Sequence, residues 1–322
     1  MSVLCITPNP ALDRTLVLPR LRAGDVHGVE RVIERAGGKG LNVARVVRQL
    51  GVDVMVLAPL GGPTGRRVAD LAARENMAAT WVEFDPADTR TCTIVVTDDG
   101  TSTVLNERGP DLGSTSSTWS DLVAAARSLG AATDLGVVTI SGSLPPGVDH
   151  SQFRTLIDAL HEVSDATIWV DTSGDALLAS LGASVSLKVN GHEARTALGA
   201  APNEDAAGLA TRLRALVAAD VVVTDGERGA VWARATGSVV TACPPPTAVI
   251  NATGSGDAFL AGIAVGLHTG LDEHATLRLA VAAGTTNAMT IDPGITPECL
   301  AELHRQIDSH EVIPKEPSPH HV

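Results

Sequence analysis

The sequence predicts an α/β fold, a mainly parallel sheet flanked by helices, with a small second β-sheet set apart from it. Three observations carry this expectation. From about Ser117 onward, short apolar runs alternate with stretches of helical length, the pattern of β-α units joined by right-handed crossovers. Two β-rich segments, residues 12–18 and 89–105, precede that alternation and stand outside it. Two glycine-rich stretches, Gly37-Gly-Lys-Gly-Leu-Asn-Val-Ala44 and Asn251-Ala-Thr-Gly-Ser-Gly-Asp-Ala-Phe259, each lie just before a predicted helix.

Taken in order, Val3-Leu-Cys-Ile6 is a short apolar strand that ends at Thr7-Pro-Asn-Pro10. Residues 12–18 are extended and carry Asp13 and Arg14. The first glycine stretch opens an amphipathic helix that runs to about Leu50; residues 52–58 then read as strand and 64–75 as helix. Residues 89–97 and 101–105 flank the turn Asp98-Asp-Gly100, a hairpin signature. With residues 12–18 they predict a small lid, its strands at about 12–18 and 89–107. Helices are predicted at 119–129, 152–162, 175–181 and 205–218, and strands at 136–140, 167–170, 184–189 and 221–224. An extended segment, 244–250, leads into the second glycine stretch and a small-residue helix at 258–267. Two helices, about 273–289 and 297–309, finish the body. One domain is expected over residues 1–313, and the Pro- and His-containing tail, 314–322, is expected to be disordered.

The composition narrows the function. The chain has 322 residues, 44% of them hydrophobic and only 2% aromatic, with no Tyr, so its core is aliphatic. Few rings argue against a base-stacking surface, and a net charge of −13 argues against polyanion partners, so no nucleic acid is expected. No uninterrupted apolar run has membrane-spanning length, and the start lacks a basic, apolar leader. Cys5, Cys92, Cys243 and Cys299 show no metal-binding spacing and are expected to be reduced thiols. A cytoplasmic protein without a membrane partner is expected. There is no G-x-x-x-x-G-K-[ST], and no zinc spacing among the ten His. Any metal is expected to be oxygen-bound, namely Mg²⁺ accompanying a nucleotide.

The chemistry gathers at the glycine stretches. Gly254 and Gly256 let the backbone bend so that N–H groups converge on one point, and the helix start adds further donors. Such a junction holds an anion. Asp257 beside it has two readings: a helix-capping carboxylate, or a base that takes a proton from an incoming hydroxyl. At the first stretch, Lys39 is one of only three lysines, with Lys188 and Lys315, and stands beside three glycines. That favours anion or sugar contact over a surface role. Lys188-Val-Asn190-Gly-His-Glu193 has the spacing of a capping box, with Mg²⁺ binding as the alternative. Ser141-Gly-Ser143, Asp171-Thr-Ser173, Asn190-Gly191 and Asp225-Gly226 all follow predicted strands, where open α/β sheets bind ligands.

The two glycine junctions together resemble the paired signatures of the PfkB (ribokinase-like) carbohydrate kinases. The resemblance runs from Thr7-Pro-Asn-Pro-Ala-Leu-Asp13 to the last helices. Asn106-Glu-Arg-Gly-Pro110 and Ser141-Gly-Ser-Leu-Pro-Pro-Gly147 are similar to the branch acting on ketohexose phosphates. The chain departs from the commoner family wording at Asn251-Ala252, Val189 and Thr224-Asp-Gly226. The resemblance implies a ribokinase-like (Rossmann-like) body with a β-sheet lid, and ATP-dependent transfer to a sugar hydroxyl. It implies Asp257 as catalytic base, with Gly254, Ser255 and Gly256 forming the anion hole. Asp13, Gly38, Lys39, Asn42 and Arg90 would hold the sugar phosphate. Lys188, Asn190, Thr224, Asp225, Gly226, Glu227, Gly229 and Thr253 would hold ATP, and Asn190 and Glu193 would support Mg²⁺, directly or through water. The acceptor implied is fructose 1-phosphate, ahead of tagatose 6-phosphate and fructose 6-phosphate. A non-catalytic sugar-phosphate sensor is the rival from another class; a kinase for neutral sugars or nucleosides has no use for the Lys39 and Arg90 cations. A homodimer paired through the lid is expected.

Overall fold

A computed structural model describes residues 1–114, 117–290 and 294–312. The chain opens with β1 (Ser2–Ile6) and leaves the main sheet for β2 (Ala11–Leu18) and β3 (Arg31–Gly37). It continues through α1 (Lys39–Gln49), β4 (Val54–Gly61), α2 (Gly62–Arg74) and β5 (Ala78–Phe84). A second excursion forms β6 (Arg90–Thr97) and β7 (Ser102–Asn106). Then come α3 (Thr118–Ala132), β8 (Leu135–Ser141), α4 (His150–His161), β9 (Thr167–Asp171), α5 (Gly174–Ser180), β10 (Ser186–Asn190), α6 (Gly191–Leu198), α7 (Ala206–Arg214) and β11 (Val221–Thr224). The 3₁₀ turn Gly226–Arg228 leads to β12 (Ala230–Ala233) and β13 (Val239–Ala242). α8 (Ser255–His268), α9 (Glu273–Ala288), α10 (Pro297–Gln306) and β14 (Ser309–Glu311) complete the order.

Among the described residues the main sheet has ten strands, in the order β14-β13-β12-β11-β10-β9-β8-β1-β4-β5. The pairs from β11 across to β5 are parallel, while β12, β13 and β14 add on antiparallel. One face buries against α1, α8 and α9, the other against α3, α4 and α7. Because both faces are covered, strand residues such as Val221, Val222 and Val223 are buried on both sides, which is why those strands read as unbroken apolar runs. α8 is apolar all round because it is enclosed, with every residue from Asp257 to Gly266 buried. Its glycines let α9 approach: a Cβ on Gly262 would lie 2.5 Å from the Cα of Ala280.

The smaller sheet has the order β3-β2-β6-β7, with β2 and β6 parallel in continuous register from Ala11↔Arg90 to Leu18↔Thr97. The expected strands at 12–18 and 89–107 are therefore present. α2 packs against β2 and β3. Val32, Val104 and Leu105 of this sheet are exposed.

Several elements were not anticipated. β3 hides because Arg31, Glu34 and Arg35 break its apolar pattern, and β5 because it is a half-exposed edge. β12 and β13 are only four residues each. The last helix ends at Gln306, so Ser309, expected at its end, lies in β14. Residues 244–250 form no strand. The expectation of a disordered tail, 314–322, falls outside the described residues.

Candidate active site

Parallel strands bring their carboxyl ends to one edge of the sheet, and there the starts of α1 and α8 meet. Gly38 caps α1 at φ 103°, where a side chain is strained, and a Cβ would also lie 2.8 Å from Thr7 Cγ2. Gly37 is needed for a different reason: a Cβ there would run into the Asp13 carboxyl at 2.1 Å. The first turn of α1 therefore begins with Lys39, against the helix dipole and with no acidic residue in that turn.

A buried carboxylate compensates. Asp171, at the end of β9 and fully buried, accepts from Lys39 Nζ at 2.8 Å on Oδ1 and from Lys188 Nζ at 2.7 Å on Oδ2. Burial works against its charge, but the two ammonium groups prevail and hold its carboxyl below the usual range. Burial likewise opposes the charge on Lys39, yet the Asp171 and Asp257 carboxylates raise its pKa above the ordinary lysine value. Lys188 reaches the first turn of α8, where a Cβ on Gly256 would stand 2.6 Å from its Nζ. Gly256 is thus the residue that lets a lysine ammonium sit against the cradle.

The cradle is the turn from Asn251 to Asp257. Thr253 N–H donates to Asn251 Oδ1 at 3.0 Å, and Gly254 takes the left-handed conformation at φ 80°. Of the expected anion-hole donors, the Ser255 N–H is also taken, by Ala252 O at 3.2 Å in the turn that Gly254 closes, whereas among the described residues no acceptor is placed for the N–H groups of Gly254, Gly256 and Asp257. Those donors and the helix start form the kind of backbone concavity that takes a phosphate oxygen.

Asp257 is 6% exposed, and its Oδ2 accepts from Asn42 Nδ2 at 2.9 Å rather than capping its own helix. Arg45 donates to Asn42 Oδ1 at 2.8 Å and is itself tied to Glu75 and to Ala36 O, which fixes the amide with its nitrogen toward Asp257. Burial pushes the Asp257 carboxyl up to about 6, with Lys39 pulling it down, Asp171 pushing it up, and Lys188 and the Asn42 bond pulling it down.

Asp13 lies on β2 opposite Cys92 of β6 and under Gly37. Burial raises its carboxyl to about 6 against Arg45 and Arg90. Arg90 donates to Asn9 O through Nε (3.3 Å) and Nη2 (3.0 Å), and to Glu107 O through Nη1 (3.0 Å). It shapes the wall between β1 and the smaller sheet. Asn9, 4% exposed, donates to Arg108 O and Ser143 Oγ.

One strand over, Asn190 and Glu193 form the expected capping box at α6: Glu193 N–H donates to Asn190 Oδ1 and Asn190 N–H to Glu193 Oε2, both at 2.9 Å. Glu193 is near enough to raise Lys39. Beyond it the Thr224–Gly229 turn is closed by Arg228, which clasps Asp225 at 2.7 and 2.8 Å. Gly229 is required at φ 81°, where a Cβ would lie 2.0 Å from Ala242 O. Among the described residues no cluster of three or more His, Cys, Asp or Glu could hold a metal ion.

Lys39, Asn42, Lys188, Gly256 and Asp257 thus meet at one point, with Asp13, Gly38 and Arg90 beside it. Sequence reasoning named Asp171 only as part of a strand-end cluster, not as the group joining both lysines. It missed Asn9, Arg45 and Asn287, the last a residue of α9 whose side-chain amide donates to Thr253 O at 2.9 Å. Asn9 stood within the quoted Thr7-Pro-Asn-Pro10, so a signal was there; Arg45 and Asn287 are polar residues inside helices, and their burial is not visible from spacing.

The sequence matches the pfkB family of carbohydrate kinases over residues 9–296. It is 32% identical to the 1-phosphofructokinase of Escherichia coli strain K12 over 308 residues, covering 94% of this chain and 96% of that protein. It is 31% identical to the tagatose-6-phosphate kinase of Staphylococcus epidermidis over 320 residues, covering 96% and 100%. The fold is similar to that of phosphofructokinase-2 from Escherichia coli in complex with potassium, with a TM-score of 0.87 at 24% identity over 95% of this chain and 98% of that one.

Proposed function

The chain belongs to the pfkB family of carbohydrate kinases, and we propose that it phosphorylates fructose 1-phosphate at O6 to give fructose 1,6-bisphosphate. It is an ATP-dependent sugar kinase. The observation that carries the kinase chemistry is Asp257: a buried carboxylate at the start of α8, beside N–H groups with no acceptor among the described residues, with two lysines held nearby. The choice of fructose 1-phosphate as acceptor rests on the similarity to the 1-phosphofructokinase of Escherichia coli.

In this mechanism the smaller sheet covers the sugar and excludes water, which otherwise competes as acceptor. Asp13, Gly38, Asn42 and Arg90 hold the sugar phosphate with Lys39. Asp257 accepts the proton of the attacking hydroxyl. That oxygen bonds to the γ-phosphorus as the bond to the bridging oxygen breaks, and ADP leaves with the electron pair. The N–H groups of Gly254 and Gly256, with Lys188, meet the negative charge on the moving phosphoryl group. Thr224, Asp225, Gly226, Glu227 and Gly229 line the nucleotide, with Thr253, Ser255 and Asn190 at its phosphates.

Mg²⁺ fits this site through its water shell. One Glu193 oxygen accepts from the Asn190 N–H, which leaves the other for a hydrated ion, the mode Mg²⁺ prefers. Bound there, the ion supplies positive charge to the triphosphate. The exposed Val32, Val104 and Leu105 support pairing of two copies through the smaller sheet. The four free cysteines support a cytoplasmic location, and no helix among the described residues is long and apolar enough to cross a membrane.

ADP release measured across a panel of sugars and sugar phosphates tests the reading. Fructose 1-phosphate is expected to give the highest kcat/KM. Tagatose 6-phosphate or fructose 6-phosphate in first place would change the acceptor and move attack to O1. Free fructose or ribose equal to the best sugar phosphate would sink the phosphate pocket.

A further inference from the structure

We propose that Asn287, in the last turn of α9, is a positioning residue that aims the Gly254 N–H of the anion cradle. The proposal rests on the kinase reading above. Asn287 is 1% exposed, and its side-chain amide joins three points. Nδ2 donates to Thr253 O at 2.9 Å and to Ser255 Oγ at 3.2 Å, while Oδ1 accepts from Gly294 N–H at 2.8 Å.

The first of these bonds has a geometric consequence. A trans peptide points its C=O and the following N–H in opposite directions. Drawing Thr253 C=O toward α9 therefore turns the Gly254 N–H away from α9. Gly254 stands at φ 80°, and glycine reaches negative φ about as readily, so the 253–254 peptide is free to flip. A flip would turn a carbonyl oxygen, not an N–H, toward the incoming phosphoryl group. The neighbouring peptides are held, Thr253 N–H by Asn251 Oδ1 at 3.0 Å and Ser255 N–H by Ala252 O at 3.2 Å, but among the described residues nothing besides Asn287 bonds the 253–254 peptide itself.

Attachment of the loop to α9 does not need Asn287. Ile250 N–H and Asn251 N–H already donate to Ala288 O at 2.8 and 3.0 Å. The Asn287 amide acts one step further along, on the single peptide that presents the cradle's first donor. Its neighbours on α9 are Ala, Gly and Thr, and Ala is the better helix former. A buried Asn at this position is therefore not explained by helix formation. It is explained by the carbonyl it holds.

The test compares Asn287→Ala and Asn287→Asp with the wild type at pH 8 and 15 °C, with folding checked by circular dichroism. The Asp variant keeps the shape and the acceptor for Gly294 but loses the donor. Both are expected to lose at least tenfold in kcat while KM for the sugar phosphate stays within twofold. Calorimetry supplies a second readout. ADP with aluminium fluoride, a mimic of the phosphoryl group in flight, is expected to bind at least tenfold more weakly, and ADP alone within twofold of wild type. A role in loop attachment alone lowers Tm and leaves these ratios unchanged. Either variant folded with kcat within threefold of wild type overturns the proposal, as does equal weakening of ADP and the fluoride complex. If one variant fails to fold, the other decides; if both fail, Asn287 is a folding residue and the proposal is overturned. A wild-type enzyme inactive on every sugar phosphate overturns the kinase reading instead, and the calorimetric comparison still reports on Asn287.

Discussion

Asn42 and Asp257, 215 residues apart in the chain, are joined by a 2.9 Å hydrogen bond between the first turns of α1 and α8. The bond ties the two glycine junctions to each other. It also gives Asp257 a partner that can donate but cannot take its proton, since the Asn42 oxygen is already engaged by Arg45. The carboxylate is oriented and left basic.

Asp257→Asn is expected to lower kcat by roughly a hundredfold or more, the scale of losing a positioned base, with the fold intact. In the wild type the acid limb of kcat/KM is expected near pH 6, because burial lifts the carboxyl to about 6 and only its deprotonated form accepts the hydroxyl proton. Turnover near wild type in the Asn variant would leave Asp257 with a helix-terminal role only.

The same shift has a sign for stability. The folded carboxyl of Asp257 keeps its proton to about pH 6, whereas the unfolded one releases it near 3.8. The folded state therefore binds more protons in that window. The contribution is full below the unfolded value and is lost as pH rises through about 6, leaving a buried charge at neutral pH. Asp257→Asn is expected to raise stability at pH 8 by on the order of 1–3 kcal/mol, and by nothing below about pH 3. Urea melts at the two pH values check this; an equal effect at both would remove the linkage.

Asp171→Asn leaves two ammonium groups without their shared carboxylate. Breaking a buried pair from one side costs about 3–5 kcal/mol, so a fall in Tm is expected. A second effect separates position from stability. Asp171 pushes the Asp257 carboxyl upward, so its removal is expected to move the acid limb of kcat/KM to lower pH. A folded variant with kcat within threefold of wild type and an unmoved limb would reduce Asp171 to packing.

The fold was legible where the chain repeats a period. Strands buried on both faces announced themselves as runs such as Val221–Thr224, and both glycine junctions were visible because φ 103° at Gly38 and φ 80° at Gly254 leave little choice of residue. The site was half legible. Residues whose type is conspicuous, Lys39 above all, could be named from sequence. The groups that set their geometry could not. Asp171 looks like any strand-end aspartate until both lysines are seen on its two oxygens, and Asn287 looks like a polar break in a small-residue helix until Thr253 O is found beside it.

Glu193→Ala is expected to act twice. Loss of the capping box costs about 1 kcal/mol, read as a lower Tm. Loss of the free carboxylate oxygen raises the Mg²⁺ concentration needed for half-maximal rate. Glu193→Gln keeps an acceptor for the Asn190 N–H, so it is expected to spare Tm and still shift the Mg²⁺ requirement. A Gln variant with an unchanged Mg²⁺ requirement would confine Glu193 to capping.

The last expectation concerns the acceptor's phosphate. Lys39 and Arg90 are the two cations assigned to it, and they differ in how free they are. Lys39 has one described hydrogen bond, to Asp171, and its Nζ carries three donors. Arg90 directs three described bonds at the carbonyls of Asn9 and Glu107, and burial lowers its pKa. A phosphate arriving beside Arg90 meets a guanidinium already oriented by those carbonyls, with part of its five-donor fork left over. Lys39→Ala is therefore expected to raise KM for the sugar phosphate at least tenfold, with KM for ATP changed far less. Arg90→Lys is expected to raise the same KM and also to lower Tm, because lysine cannot bond two carbonyls from one plane. If Lys39→Ala raises both KM values equally, the lysine serves the nucleotide as much as the sugar. If neither variant changes KM for the sugar phosphate, the phosphate lies elsewhere in the cleft.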